Sequence, residues 1–422
     1  MKTADINDTL RAKGPDGVRE RYDQAHKRKT IADIHALFLK WFGAEYDTAT
    51  IDAVLAVAAA EKFPGDPPWL LVISGPGNAK TETVGSISGV PGSVVVSTIS
   101  SEGALLSGVS KKARAKGSTG GLLRQLGERG ILIIKDFTSI LSADRNLRGP
   151  MLAALREIHD GKWVRTLGSD GGMTYSWEGR IIVLAACTTA WDSAYGVIAT
   201  MGDRFVTIRS SARTGRESAG TRALRNTGSE AAMRSEINEA VASLLKTVVP
   251  REYPLSDDEA ERLVAVADIV TLIRTAVETD HMRNVIDAHE PEMPTRFVKQ
   301  LVMIFRGALA IGLSRPEAFT LVERCARDSV PSLRLAVLRD IAANDIEDCR
   351  VADVAKRLQK PWTTIDRTLQ ALHVLQLLKC VYVDKKKAGG ESGDDRKTVR
   401  HYSLASGVCL DALEPSKPSP AL

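Results

Sequence analysis

Apolar residues recur along this chain in two rhythms, and the switch between them marks its organisation. Residues 1–30 are polar and mixed in charge, ending in the basic cluster Lys27, Arg28 and Lys29, and read as a loose arm. From Ile31 to Phe42 the apolar positions Ile31, Ile34, Leu37, Leu39 and Trp41 fall at helical spacing, which predicts a short helix. Ile51 to Phe63 is rich in Ala and Val until Pro64-Gly65-Asp66-Pro67-Pro68 stops it. The rhythm then changes to uninterrupted apolar runs: Trp69–Ile73, Val94–Val96, Ile131–Ile134, Ile181–Leu184 and the shorter Phe205–Ile208. Such runs are expected of parallel strands buried on both faces. Helical stretches lie between them, as after Pro150, where Leu152, Leu155 and Ile158 share a face. The alternation predicts an α/β domain with a parallel sheet.

Ser210 to Glu230 is polar and rich in Ser, Gly, Thr and Arg, and reads as a linker or exposed loop. Beyond it the pattern is helical to about Gly312. Ser256-Asp257-Asp258-Glu259 fits a capping box that opens a helix carrying Leu263, Val264, Val266, Ile269 and Val270. Arg296–Ile311 is a second helix, with Phe297, Leu301, Ile304, Phe305 and Leu309 on one side. A last region predicts helices at Leu333–Ala343, Val351–Leu358 and Thr363–Leu378, the third preceded by the break Lys360-Pro361-Trp362. Short alternating strands, Val381–Val383 and Val399–Tyr402, follow around Lys385, Lys386, Lys387 and a Gly/Asp-rich tip. The expected division is an arm and helix (1–47), an α/β core (48–210), a linker and helical lid (211–315), a small domain (330–405) and a disordered tail (406–422).

Composition narrows the class. A chain of 422 residues is long enough for two or three domains, and 44% hydrophobic residues exclude wholesale disorder. No run approaches the about 18 apolar residues of a membrane span, and the charged N-terminus has no signal-peptide core. Cys187, Cys325, Cys349, Cys380 and Cys409 form no CxxC pair, which argues against a disulfide framework or zinc knuckle. The expectation is a soluble, reduced, cytoplasmic protein without a membrane partner. The net charge of +5 says little, but its placement in a loop at 111–116, a linker at 209–225 and a strand pair at 385–400 suggests a polyanion.

The segment Ser74-Gly75-Pro76-Gly77-Asn78-Ala79-Lys80-Thr81 follows the first strand and precedes a helix. It approximates the phosphate loop GxxxxGK[ST], with Ser74 and Ala79 in place of the outer glycines. Backbone N–H groups of such a loop cradle phosphates. Gly75, Pro76, Gly77, Asn78 and Ala79 would form the cradle, Lys80 would neutralise the β and γ phosphates of ATP, and Thr81 would hold Mg²⁺. Alanine resists the positive φ that position 79 calls for. The third apolar run ends in Lys135-Asp136-Phe137, where a Walker B motif has Asp-Glu. Either Asp136 stands in for the Glu and Lys135 for the magnesium Asp, or Asp136 is the magnesium Asp and no general base follows. One carboxylate is missing both ways, so hydrolysis is slow or Thr81 carries most of the metal.

The order of these parts resembles an AAA+ ATPase of the branch with a hairpin before sensor 1, which includes minichromosome-maintenance helicases and bacterial enhancer-binding activators. The resemblance covers about residues 48–315. Glu102–Gly108 and Gly120–Gly127 resemble the stretch between Walker A and Walker B. Leu152–Asp160, Gly161–Arg165, Ser169–Gly172 and Tyr175–Trp177 resemble the helix and hairpin before sensor 1. Thr188 stands where the family usually has the sensor 1 Asn. Gly202-Asp203-Arg204-Phe205 resembles the arginine-finger segment, which makes Arg204 a candidate to act on a neighbouring subunit's nucleotide. Pro294-Thr295-Arg296-Phe297 resembles sensor 2, whose Arg touches the γ-phosphate. The resemblance implies ATP and Mg²⁺, with Thr81 and Asp136 at the metal, and a homo-oligomeric ring or spiral such as a hexamer.

The last region reads as a winged helix. Its third helix presents Thr363, Thr364, Arg367, Thr368 and Gln370, suited to a DNA groove, and the wing adds Lys385, Lys386, Lys387, Arg396, Lys397 and Arg400. Winged helices also serve as protein contacts, and Asp384, Glu391, Asp394 and Asp395 dilute the wing's field. In hexameric relatives, loops like Lys111, Lys112, Arg114 and Lys116, and the hairpin of Lys162 and Arg165, face a central channel, so these too are candidate DNA contacts. The expected function is an AAA+ DNA-remodelling ATPase: a replication initiator, helicase or helicase loader, of a phage or other mobile element. Two rivals stand beside it. One is a nucleotide-switched transcriptional regulator, although Lys116–Gly121 lacks the Phe of the sigma-contacting loop. The other is a degenerate AAA+ protein that binds ATP and barely hydrolyses it.

Overall fold

The computed structural model describes residues 28–108, 120–167, 172–200, 202–210, 216–344, 349–384 and 398–414, with a few positions between 11 and 18. Strands β1 (Trp69–Ser74), β2 (Ser93–Val96), β3 (Arg129–Ile134), β6 (Arg180–Cys187) and β7 (Phe205–Ser210) form one parallel sheet, in the order β2-β3-β6-β1-β7. The sheet and its helices make a mixed α/β, P-loop-like fold. The uninterrupted apolar runs are explained by two cores. Leu70, Val72, Ile133 and Leu184 point to one face, while Leu71, Ile73, Leu132 and Val183 point to the other. The first face is covered by helices 48–59 and 295–310, the second by helix 145–159 and the antiparallel pair β4 (Lys162–Leu167) and β5 (Met173–Glu178).

Helix 31–42 opens with a capping box in which Thr30 accepts from the Asp33 N–H and Asp33 accepts from the Thr30 N–H. Helix 48–59 buries every residue from Thr50 to Ala59. Its Ala-rich surface admits a close crossing: a Cβ added at Gly307 of helix 295–310 would lie 2.0 Å from the Ala56 carbonyl oxygen. The capping box expected at Ser256 is present, with Glu259 as its acid, and opens helix 257–274. Helix 315–328 docks on β7, where Thr207 Oγ1 donates to the Asp328 carbonyl at 2.6 Å and Ser329 Oγ accepts from the Thr207 N–H at 2.9 Å.

The C-terminal region contains helices Ser332–Asn344, Val351–Leu358 and Trp362–Val374 and a three-stranded sheet, β10 (Cys349–Arg350), β12 (Thr398–Leu404) and β11 (Leu378–Asp384) in that order. Its third helix stops short of the expected Leu378, because Gln376 turns left-handed and Leu378 starts β11.

Three sequence expectations need correction. The stretch read as a linker holds the helix Arg216–Asn226, which buries no residue and so shows no apolar rhythm. The lid is not helical throughout: β8 (Val277–Thr279) and β9 (Val285–Ala288) form a hairpin between its helices. Residues 406–414 are not a loose tail, since Leu413 is buried and Glu414 pairs with Arg339 at 2.8 Å. Among the described residues, no helix is long and apolar enough to cross a membrane.

Candidate functional site

The phosphate-loop segment leaves the carboxyl end of β1, between β6 and β7. Gly77 and Ala79 are both left-handed, with φ 78° and φ 51°. Alanine therefore takes the conformation it resists, at a cost of about 1–2 kcal/mol. The loop is held in place from three sides. Asn78 Nδ2 donates to Ser210 Oγ at 3.2 Å, the Ala79 carbonyl accepts from the Thr83 N–H at 2.8 Å and Thr83 Oγ1 at 2.9 Å, and Lys80 Nζ donates to the Gly75 carbonyl at 3.2 Å. Thr81 and Pro76 are exposed. A Cβ added at Gly75 or Gly77 would meet nothing within 4 Å, so the loop faces open space.

That space is a cleft of about 650 Å³, in the range of small-molecule sites. Its floor is Pro76–Glu82. One wall is aromatic, with Trp41 and Phe42 at the end of helix 31–42 and Tyr46 just beyond it; the other is helix 216–226, with Arg216, Arg222 and Asn226. The walls are tied together by Arg222 donating to the Lys40 carbonyl at 2.7 Å and Asn226 to the Trp41 carbonyl at 3.0 Å. Tyr46 shares a 2.9 Å hydrogen bond with Thr83, and burial holds its phenol well above the ordinary range. Sequence reasoning missed these walls. Their one signal in the sequence is the i, i+4 spacing of Arg222 and Asn226 within a polar stretch.

Strand register brings two more candidates to the same edge. Ile73 pairs with Cys187 and Ile134 with Ala185, so Thr188 and Asp136 both lie at the carboxyl end of the sheet. Asp136 Oδ1 accepts from the Thr138 N–H at 3.0 Å, and Thr138 Oγ1 accepts from the Thr188 N–H at 3.0 Å. The two threonine hydroxyls are 3.3 Å apart. Thr138 is an unforeseen link between the two. Lys135 lines a recess of about 240 Å³ with Thr81, Glu82 and Arg234, and Glu82 is bonded to Arg234 at 2.7 Å. For magnesium, the chain offers the exposed Thr81 hydroxyl and the Asp136 oxygen not bonded to Thr138. Among the described residues no cluster of three or more His, Cys, Asp or Glu could hold a metal. This donor set fits a magnesium ion that keeps most of its shell from phosphate and water.

Arg204 and Arg296 lie elsewhere. β7 runs parallel to β1 with Phe205 beside Trp69, so Arg204 sits at the amino-terminal edge of the sheet. Its guanidinium pairs with Asp160 at 3.0 Å and is largely buried. Arg296 bonds Glu292 and donates to the Asp203 carbonyl at 3.4 Å, beside Arg204. The His159 hydrogen bond and then Arg204 hold the Asp160 carboxyl well below the ordinary range. Burial pushes the Asp203 carboxyl up. Arg274 is buried between these groups, paired with Glu292 at 2.7 Å. Arg204 Nε and Arg296 Nε are buried without a hydrogen-bond partner among the described residues. Arg296 and the phosphate loop of the same chain lie at opposite edges of the sheet, which sequence order alone does not reveal.

Lys162 is exposed on the β4–β5 hairpin, 3.9 Å from Glu178, and Val164 and Met173 are exposed beside it. Arg165 turns inward, to Glu102 at 3.0 Å and the Leu106 carbonyl at 3.0 Å. In the C-terminal region Thr363 is exposed and Thr364 half-buried, while Arg367 donates to the Met282 carbonyl of the lid hairpin at 3.0 Å. Arg400 pairs with Asp366 at 2.6 Å. Lys111, Lys112, Arg114, Lys116, Lys385, Lys386 and Lys387 lie outside the described residues.

No protein-family model matches the chain, and no curated protein does. Among solved structures it is similar to a full-length MCM homolog from Methanopyrus kandleri, at 13% identity and a TM-score of 0.40. The match covers 75% of this chain and 62% of that one, so the chain spans less than two thirds of its neighbour's length.

Proposed function

We propose that the chain is an AAA+ ATP-binding protein that acts on DNA as a replication initiator, helicase or helicase loader. The observation that carries this reading is the left-handed loop at Ala79, opening a cleft of about 650 Å³ at the sheet edge that also holds Asp136 and Thr188. In it the triphosphate lies on the loop, Lys80 trades the Gly75 carbonyl for phosphate oxygens, and the base lies toward Trp41, Phe42 and Tyr46. Thr81 and Asp136 would hold a magnesium ion, which would supply charge neutralisation. Asp136 and Thr188 orient the attacking water from the strand ends. Arg204 and Arg296, at the far edge, serve a neighbouring subunit's nucleotide in a ring or spiral.

The C-terminal region acts as a winged helix, with Thr363 and Thr364 toward DNA and Lys385, Lys386 and Lys387 in the wing; Arg367 and Arg400 join them only by leaving the Met282 carbonyl and Asp366. Lys162 and the Lys111–Lys116 loop meet the phosphate backbone of translocated DNA. Arg165 braces the hairpin against Glu102 and joins that contact only by releasing it. The test is ATP hydrolysis by the purified chain with and without single- and double-stranded DNA, with Lys80→Ala as control. Turnover no higher than that of the variant sinks the enzymatic reading. A second reading, a nucleotide-dependent assembly factor with little turnover, is favoured by Asp136 being engaged with Thr138 and by Lys135 in the recess beside Thr81. Tight ATP binding without turnover selects it.

A further inference from the structure

We propose that Lys135 is a phosphate-binding residue of the nucleotide cleft, a second cation beside Lys80 that lets the chain hold a nucleoside triphosphate without a divalent ion. The inference rests on the nucleotide reading of the cleft and adds a ligand contact to it.

The backbone fixes where Lys135 starts. Its N–H donates to the Val96 carbonyl at 3.0 Å, one residue beyond β3 and at the carboxyl edge of the sheet. Lys135 lines the recess of about 240 Å³ that also contains Thr81 and Glu82. Those two residues line the larger cleft as well, so the recess is a continuation of the phosphate end. The charges of the recess are unequally committed. Arg234 is neutralised by the Glu82 carboxylate, with contacts at 2.7 and 3.0 Å. Lys135 makes no ion pair with any described residue. Its ammonium is a compact charge on a flexible stem, able to move onto a phosphate oxygen that a carboxylate at this position would repel. Asp136, the carboxylate that follows it in the chain, already spends an oxygen on the Thr138 N–H, and Glu82 in the recess is committed to Arg234. The site is thus built with a lysine where a magnesium-holding acid would otherwise stand, and the lysine's charge does part of the ion's work on the phosphates.

The experiment is calorimetric titration of the full chain with ATP, in magnesium buffer and in excess EDTA, with parallel thermal-shift measurements. Wild type is expected to lose less than about tenfold in affinity on chelation. Lys135→Ala should lose a further factor of about ten or more in EDTA, the worth of one charge-assisted bond, and less in magnesium. Lys135→Arg should keep the wild-type behaviour, and Lys135→Asp should bind only with magnesium. Lys135 is exposed, so none of these changes touches the core. The proposal is overturned if wild-type binding vanishes in EDTA, or if Lys135→Ala matches wild type there. Failure of the nucleotide reading is separate: no ATP binding in either buffer, with Lys80→Ala indistinguishable from wild type, overturns both.

Discussion

Replacing Ala79 with glycine should stabilise the α/β domain. Ala79 has φ 51° and ψ 5°, a left-handed conformation that costs an L-residue about 1–2 kcal/mol. The strain persists because the loop around it is over-determined: Asn78 is tied to Ser210, Thr83 to the Ala79 carbonyl and Lys80 to Gly75. Glycine removes the Cβ penalty but adds about 0.5–1 kcal/mol of unfolded-state entropy. The net gain is up to about 1.5 kcal/mol. Ala79→Val has the opposite sign, because a β-branched side chain crowds a left-handed backbone further. The assay is urea unfolding followed by tryptophan fluorescence, for which Trp69 and Trp191 are buried reporters in this domain. The midpoint should rise for Ala79→Gly and fall for Ala79→Val with unchanged slope. A glycine variant less stable than wild type would refute the reasoning. It would mean that the loop leaves the left-handed region in solution and that the phosphate cradle is not preformed.

Lys80→Ala should lower ATP affinity at least about tenfold in calorimetry with little change in unfolding midpoint, since among the described residues its ammonium bonds the Gly75 carbonyl alone. Gly307→Ala should destabilise by about 1–3 kcal/mol or more in thermal melts, because the added methyl meets the Ala56 backbone at 2.0 Å. Burial lowers the pKa of His159 from 6.5, so the stability it carries is complete above that value and is lost as the pH falls below it. His159→Gln, which keeps an amide near Gln300, should flatten the loss of stability between about pH 7 and pH 5 in denaturant titrations. Mixing Arg204→Ala with Lys80→Ala should restore part of the ATPase rate, because each variant supplies the half that the other lacks; rates that never exceed those of the separate variants would argue against shared sites.

What was legible in the sequence follows from what is buried. The sheet strands could be read because both faces meet helices, which forces unbroken apolar runs such as Ile131–Ile134. The helix at 257 could be read because Ser256 and Glu259 must satisfy free N–H groups at its start. Helix 216–226 could not, since it buries nothing and its placement depends on Arg222 and Asn226 reaching carbonyls 182 and 185 residues away. The same holds for the end of the chain, where a single buried Leu413 and the Glu414–Arg339 pair outweigh a turn-rich composition. For the candidate site, the phosphate loop is local in sequence and was recognised from spacing. The aromatic wall was not, because Trp41 and Phe42 are read as ordinary core residues until a loop is folded against them.

Strand polarity also constrains how the proposed site can be completed. β1 and β7 are in register from Trp69 with Phe205 to Ser74 with Ser210, so Arg204 lies six strand positions from the phosphate-loop end. At about 3.3 Å per residue that is about 20 Å along the sheet. A guanidinium on its own side chain does not span that distance, and Arg296, held beside Arg204 by Asp203 and Glu292, is no closer. One chain therefore carries the phosphate loop at one edge and the two arginines at the other. If both belong to one reaction, the contact that joins them is between chains. A head-to-tail interface closes into a ring or extends into a helix, whereas a two-fold dimer would bring both loop–arginine pairs together across one axis. In the proposed assembly Arg204, now paired with Asp160 at 3.0 Å, would turn toward a neighbour's phosphate, and loosening of that ion pair would accompany assembly.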